Sequence, residues 1–296
     1  MIKFDIVSGF LGAGKTTLIT KLLKSLYHEK VVLIENEFGE VSVDREVLEI
    51  EGFDVYELSN GCVCCKLKGD FILTLRQILS QGIDRIIFEP SGIFILDEIF
   101  EIFKDPQISD KCYINSITTV VDAQNFSNHI QSYSGFFKSQ IRSASSLVVS
   151  KTQLVLAEEI SQLELELRML NEYATILTKD WMELSYEELL GVVERKPVFI
   201  ENDITRSLSH DFESIGLRTS LILDRKQLEC ILEKCKNGVY GKILRGKGII
   251  KSWDTYLEFQ YVDGCYTISP SKTVTVGVVS FIGSSLQKET IRAIFQ

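Results

Sequence analysis

Proline is scarce in this chain, four in 296 residues, and there is no low-complexity tract. Long disordered linkers are therefore not expected. Basic excess is missing too: 32 Lys and Arg stand against 41 Asp and Glu, a formal net charge of −9. Binding to a phosphate backbone needs a basic footprint, so no nucleic-acid partner is expected. No run of 18 apolar residues occurs, which excludes an ordinary membrane-spanning helix. The opening MIKFDIVSGF lacks the architecture of a cleavable signal, and a cytoplasmic location is the expectation. Seven cysteines, an odd number with Cys64 and Cys65 adjacent, do not suit a disulfide framework. In a reducing compartment they are thiols, available for metal or buried as small hydrophobes.

What is present centres on GFLGAGKTT, residues 9–17. It fits G-x-x-x-x-G-K-S/T with Gly9, Gly14, Lys15 and Thr16 in the fixed places, after a strand-like IKFDIVS and before a helix-like LITKLLKSL. Glycines let backbone N–H groups close on phosphate oxygens, and the helix N-terminus adds positive potential. The Lys15 ammonium reaches the β/γ-phosphates and the Thr16 hydroxyl ligates Mg²⁺. The competing reading, a glycine-rich turn that binds nothing, gives no reason for Lys and Thr in register. The chain is expected to bind a nucleoside triphosphate.

Strand and helix patterns alternate along residues 1–180, with strands at 2–8, 31–36, 54–58, 85–90, 114–122, 146–151 and 174–177. That alternation specifies an α/β fold, a parallel sheet with helices on both faces. Ligands then sit at the carboxyl ends of the strands, where GFLGAGKT, ENEFGE, EPSG and SKTQ fall. Residues 181–214, a helix-like SYEELLGVVE followed by the polar NDITRSLSHD, read as a connector. Residues 215–296 read as a small α/β domain, with strands near 216–223, 242–251, 254–261 and 273–282 and helices at 225–236 and 286–295.

GCVCC places Cys62, Cys64 and Cys65 at a strand-to-helix turn. Thiolates select Zn²⁺ and other soft or borderline divalent metals. Three thiols in four residues cannot close a tetrahedral site, so an oxygen donor from Glu35, Glu37 or Glu40 is expected to join them. An incomplete cage suits an ion in transit better than a structural one. Buried or redox-active thiols are the competing reading. Cys112, Cys230, Cys235 and Cys265 are expected as core filler, His28, His129 and His210 as surface or capping residues, and Trp181 and Trp253 as packing residues.

The phosphate loop, ENEFGEVSVD, GCVCC, EPSG, VVDA and SKT together resemble the CobW-type metallochaperone GTPases, relatives of the UreG and HypB nickel-insertion GTPases. The resemblance extends through SQIRSASSLVVSKTQL, LNEYATI, ILRGKGII and VVSFIGSSL, nearly the whole chain. It implies a P-loop nucleotide-binding domain that can dimerise across nucleotide, followed by a CobW-type C-terminal domain. The implied activity is GTP hydrolysis coupled to delivery of Zn²⁺, Co²⁺ or Fe²⁺ to a client metalloprotein. It further implies phosphate binding by Gly12, Ala13, Gly14, Lys15, Thr16 and Thr17, and support of Mg²⁺ by Glu89. Gly92 would offer its N–H to the γ-phosphate; Pro90, lacking one, cannot. Glu37 and Asp44 would lie on a switch-like loop, and Cys62, Cys64 and Cys65 would carry the ion.

One element departs from the family. SKTQ, Ser150 to Gln153, stands where the family has Asn-Lys-x-Asp. The family's aspartate accepts two hydrogen bonds from guanine, whereas Gln153 is a neutral carboxamide that can also pair with adenine. The Lys151 stem can still cover the base plane. GTP or ATP therefore both remain open, as does a binding module that hydrolyses little. The His-rich linker of metal-storing relatives is absent, which favours delivery or sensing over buffering.

Overall fold

The computed structural model describes residues 1–36, 54–57, 67–92, 94, 96–181, 183–198, 212–253, 255–271 and 276–296. They fall into two compact units, one up to residue 198 and one from 212 onward.

The first unit is built on β1 (Ile2–Gly9), β2 (Val31–Glu35), β3 (Asp54–Glu57), β4 (Arg85–Glu89), β5 (Cys112–Asp122), β6 (Ser146–Ser150) and β7 (Thr175–Leu177). Their order is β3-β2-β4-β1-β5-β6-β7 and every neighbouring pair is parallel. Continuous apolar runs such as VVLI and IIF arise because helices cover both faces. On one face Phe4, Ile6, Val32, Ile34, Ile86 and Phe88 meet α2 (Leu67–Ile78), α3 (Asp97–Ile102) and α4 (Pro106–Ser109). On the other, Val7, Leu33, Ile87 and Val148 meet α1 (Lys15–Ser25) and α8 (Tyr186–Val193). α5 (Phe126–Ser132), α6 (Ser134–Ser143) and α7 (Ala157–Leu170) complete the unit.

The first part of the segment expected as a connector, the helix-like SYEELLGVVE, is part of this core. α8 buries Leu189, Val192 and Val193, and its start is fixed by a Ser185/Glu188 capping box. Its far end is tied to the sheet through Arg85, which is fully buried and donates to Asp5 Oδ2 at 2.6 Å, to Glu29 Oε2 at 2.6 Å and to Glu194. Asp5 also accepts from Asn115 Nδ2 at 2.9 Å and Ser116 Oγ at 2.6 Å.

The second unit has β8 (Phe212–Thr219), α9 (Arg225–Lys236), β9 (Lys242–Lys251), β10 (Tyr256–Val262), β11 (Cys265–Ser271), β12 (Gly277–Ser284) and α10 (Lys288–Phe295). The sheet is antiparallel in the order β11-β10-β9-β12-β8. Phe259, Tyr261, Phe281 and Phe295 form its core with Leu228 and Leu232 of α9. β11 was not among the expected strands; its Pro270 cannot donate to a ladder and is tolerated at the sheet's edge. The strand expected near 216–223 runs from 212 to 219 instead.

The scattered cysteines divide. Cys112 and Cys235 are buried core filler, and burial pushes both thiols up to about 12. Cys230 and Cys265 are exposed and fill no core.

Candidate nucleotide-binding site

The site lies at the carboxyl ends of β1, β4, β5 and β6. β1 ends on Gly9, and the chain loops through Phe10–Ala13 into α1, with Ala13 N–H donating to Phe10 O at 3.1 Å. Gly9, Gly12 and Gly14 hold φ of 146°, 73° and 101°, a region that disfavours side-chain-bearing residues. A methyl on Gly9 would also stand 2.6 Å from Val120 O. Gly14 caps α1 without a side-chain hydrogen bond, so the orphan N–H groups of the first turn face an incoming anion.

The reactive side chains gather on this loop. Lys15, 9% exposed, donates from Nζ to Gly9 O at 3.2 Å, which folds the ammonium back over the cradle. Thr16 Oγ1 donates to Glu89 Oε1 at 3.2 Å, with Oε2 at 3.4 Å. A hydroxyl beside a carboxylate is a hard oxygen donor set and fits Mg²⁺. Thr17 is exposed at the start of the helix. Gly92, following β4, is pressed on the loop: a methyl there would meet Leu11 N at 2.6 Å and Leu11 Cα at 2.9 Å. Thus Gly9, Gly12, Ala13, Gly14, Lys15, Thr16, Glu89 and Gly92 come together at the carboxyl ends of the central strands.

The turn after β6 forms the neighbouring wall. Lys151 has φ 58° and its Nζ donates to Asp122 Oδ2 at 2.6 Å. Asp122 is fully buried as a side chain and also accepts from Gln124 N (3.0 Å), Asn125 N (3.3 Å) and Asn125 Nδ2 (2.9 Å). Gln153 is exposed in the 3₁₀ turn Thr152–Leu154. Ser150 donates its hydroxyl to Val121 O at 3.3 Å, toward β5.

Three residues that the sequence reading gave no part in nucleotide binding belong here. Asp122 had a readable signal, an acid ending the apolar run INSITTVVD. Gln140, 2% exposed, donates from Nε2 to Gly92 O at 3.4 Å, and Trp181 lies beside Gly14; neither has a local signature. Two other expectations are corrected. His129 is not at the surface: it is 1% exposed and packs its ring 4.6 Å from that of Phe10. Trp253 is not a packing residue, being 72% exposed.

Glu37, Asp44, Cys62, Cys64 and Cys65 lie outside the described residues. Among the described residues no group of three or more His, Cys, Asp or Glu could hold a metal ion. Glu35 is buried at the end of β2.

A parallel sheet with a glycine-built anion cradle, a lysine folded over it and a Thr–Glu pair at its edge defines a P-loop NTPase. The family follows from the whole sequence. The chain belongs to the CobW/HypB/UreG family: the profile of that family's nucleotide-binding domain matches residues 3–178, and that of the cobalamin synthesis protein cobW C-terminal domain matches residues 212–296. The zinc chaperone YjiA of Escherichia coli K12 is 28% identical over 321 residues, covering 99% of this chain and 98% of that protein. The zinc chaperone CobW of Sinorhizobium sp is 31% identical over 240 residues, 71% of this chain and 66% of its own. The zinc chaperone CobW of Pseudomonas aeruginosa is 29% identical over 242 residues, 70% of this chain and 64% of its own. The match thus spans slightly under two thirds of the two CobW relatives. Among solved structures, Zn(II)-bound YjiA GTPase from E. coli shares 25% identity, covers 99% of this chain and 98% of that one, and superposes with a TM-score of 0.47.

Proposed function

We propose that this protein is a nucleoside-triphosphate-hydrolysing metallochaperone, which binds GTP and delivers a divalent transition metal, Zn²⁺ before Co²⁺, to a client metalloprotein. The observation that carries the reading is the cradle itself, where Lys15, the Thr16–Glu89 pair and Gly92 converge on one loop. The cargo is argued from the relatives, three of which are named zinc chaperones.

In this reading the N–H groups of Gly12 to Thr17 hold the phosphates. Lys15 leaves Gly9 O for a β/γ oxygen, so its charge is realised where negative charge develops. Thr16 and Glu89 hold Mg²⁺, which when bound neutralises phosphate charge. Gly92 directs its N–H at the γ-phosphate, and Gln140 holds Gly92 from behind. The Lys151 stem, anchored on Asp122, lies along the base, with Gln153 at its edge. Asp44 and Glu37 act on a loop that senses the γ-phosphate, and Cys62, Cys64, Cys65 and Glu37 bind the cargo. Hydrolysis relaxes that loop and removes a ligand, an order–disorder switch. A homodimer formed across nucleotide is part of the same reading.

Gln153 favours a second reading: a nucleotide-dependent activator module for a metalloenzyme or corrinoid-protein client, with ATP or relaxed base choice and little hydrolysis. Phosphate release from GTP and from ATP, each with Mg²⁺, beside a Lys15→Ala control, separates the two. GTP turnover abolished by Lys15→Ala supports the chaperone. Nucleotide binding without turnover above that control supports the module. Competition with a chromophoric zinc chelator tests the cargo site: parent-like affinity in the Cys64→Ala/Cys65→Ala double variant would remove it.

A further inference from the structure

Trp181 follows β7 and touches three separate pieces of the nucleotide site. Its indole N–H donates to Val149 O at 2.9 Å, on the strand that leads into the Ser150–Gln153 turn. Its ring lies over Gly14, where an added methyl would stand 3.4 Å from Cη2 and 3.6 Å from Cζ3. Its backbone carbonyl accepts from Lys21 Nζ of α1 at 3.0 Å.

We propose that Trp181 is a positioning residue of the nucleotide site, whose ring braces the phosphate loop against β6; the proposal rests on the P-loop reading above. Gly14 sits at φ 101° and has no side chain with which to hold itself there. The terminal side chain of β6, Ser150, sends its hydroxyl to Val121 O, so lateral support for Gly14 from β6 comes through the indole. One end of the indole is pinned by its N–H while the apolar edge covers the glycine, which fixes the ring's orientation. A cradle held in its binding shape before the ligand arrives loses less freedom on binding. The brace acts on the phosphate loop and not on the base, so its effect is common to GTP and ATP.

The chain has two tryptophans, and Trp253 is 72% exposed in the second unit. A Trp253→Phe background therefore leaves Trp181 as the single tryptophan, read by excitation selective for indole over the tyrosines. In that background, saturating GTP or ATP with Mg²⁺ is expected to shift or quench the emission. Calorimetric titration gives the second readout. Trp181→Ala is expected to weaken GTP and ATP alike by about tenfold, and Trp181→Phe, which keeps a ring but loses the N–H tie to Val149, to weaken both by a smaller but measurable factor. Should Trp181→Ala not fold, Trp181→Phe and the emission decide. Emission unmoved by a nucleotide that calorimetry shows to bind, or parent-like affinity in the variants, overturns this proposal alone. Loss for GTP but not ATP also overturns it, since the ring would then be reading the base. A parent that binds neither nucleotide overturns the P-loop reading, and this proposal with it.

Discussion

Gly92 has no room for a side chain, because two of the atoms a methyl would strike, Leu11 N and Cα, belong to the backbone of the phosphate loop. Backbone cannot rotate aside, so Gly92→Ala must push the two segments apart. Its kcat/KM is expected to fall by about tenfold or more, about 1.4 kcal/mol of transition-state stabilisation; parent-like kinetics would show that Gly92 plays no part. The cysteines make a second prediction. A thiol pushed up to about 12 by burial presents almost no thiolate at pH 8 and no path to a reagent, so iodoacetamide should spare Cys112 and Cys235 in the native protein. Cys230 and Cys265 should be labelled with or without zinc, and labelling of Cys62, Cys64 and Cys65 should fall when zinc is added; peptide mass mapping reads all seven. At this scale the phosphate loop was legible because its chemistry dictates residue type and spacing together. Gln140 and Trp181 were not legible. Each acts on a glycine distant in sequence, Gly92 and Gly14, and a glutamine or tryptophan in a chain carries no mark of which glycine it will meet.

The helices and strands depend on a few ties as much as on apolar packing. Arg85 joins β1, the turn before β2 and the end of α8 through Asp5, Glu29 and Glu194. Its removal strands a carboxylate that is 0% exposed, whereas Glu194 is 42% exposed and shares its load with water. Arg85→Met is therefore expected to cost about 3–5 kcal/mol. Glu194→Gln should cost no more than about 1 kcal/mol. Urea denaturation compares them, and equal losses would show that the buried tie carries no special weight. The parallel strands were legible because continuous apolar runs have one explanation, burial on both faces. Two elements departed from expectation for opposite reasons, one unforeseen and one foreseen as a helix but assigned to a connector. β11 contradicts strand propensity at Pro270 and survives because an edge needs no donor there. α8 reads as helix-like in SYEELLGVVE, where Ser185 precedes Glu188 by three residues, but was assigned to a connector because the strand–helix alternation fades there.

At the scale of the molecule, the second unit closes its own core. Among the described residues, every member of the cluster around Phe259 and Phe281 lies between Ile215 and Phe295. A fragment spanning residues 212–296 is expected to unfold in urea as a single cooperative transition by circular dichroism. A shallow, non-cooperative loss would show that it depends on the rest of the chain.

The sheet order of the first unit bears on how the chain is made. β1 carries the phosphate loop and occupies the middle of the sheet, between β4 and β5. Its ladder partners begin at Arg85 and at Cys112. At about 5–20 residues per second, the ribosome delivers those partners on the order of ten seconds after β1 itself. During that interval IKFDIVSG is an extended apolar segment with both edges open. The strand most central to the finished site is thus the one that waits longest for a partner, and a chaperone that shields nascent apolar strands would act on it first.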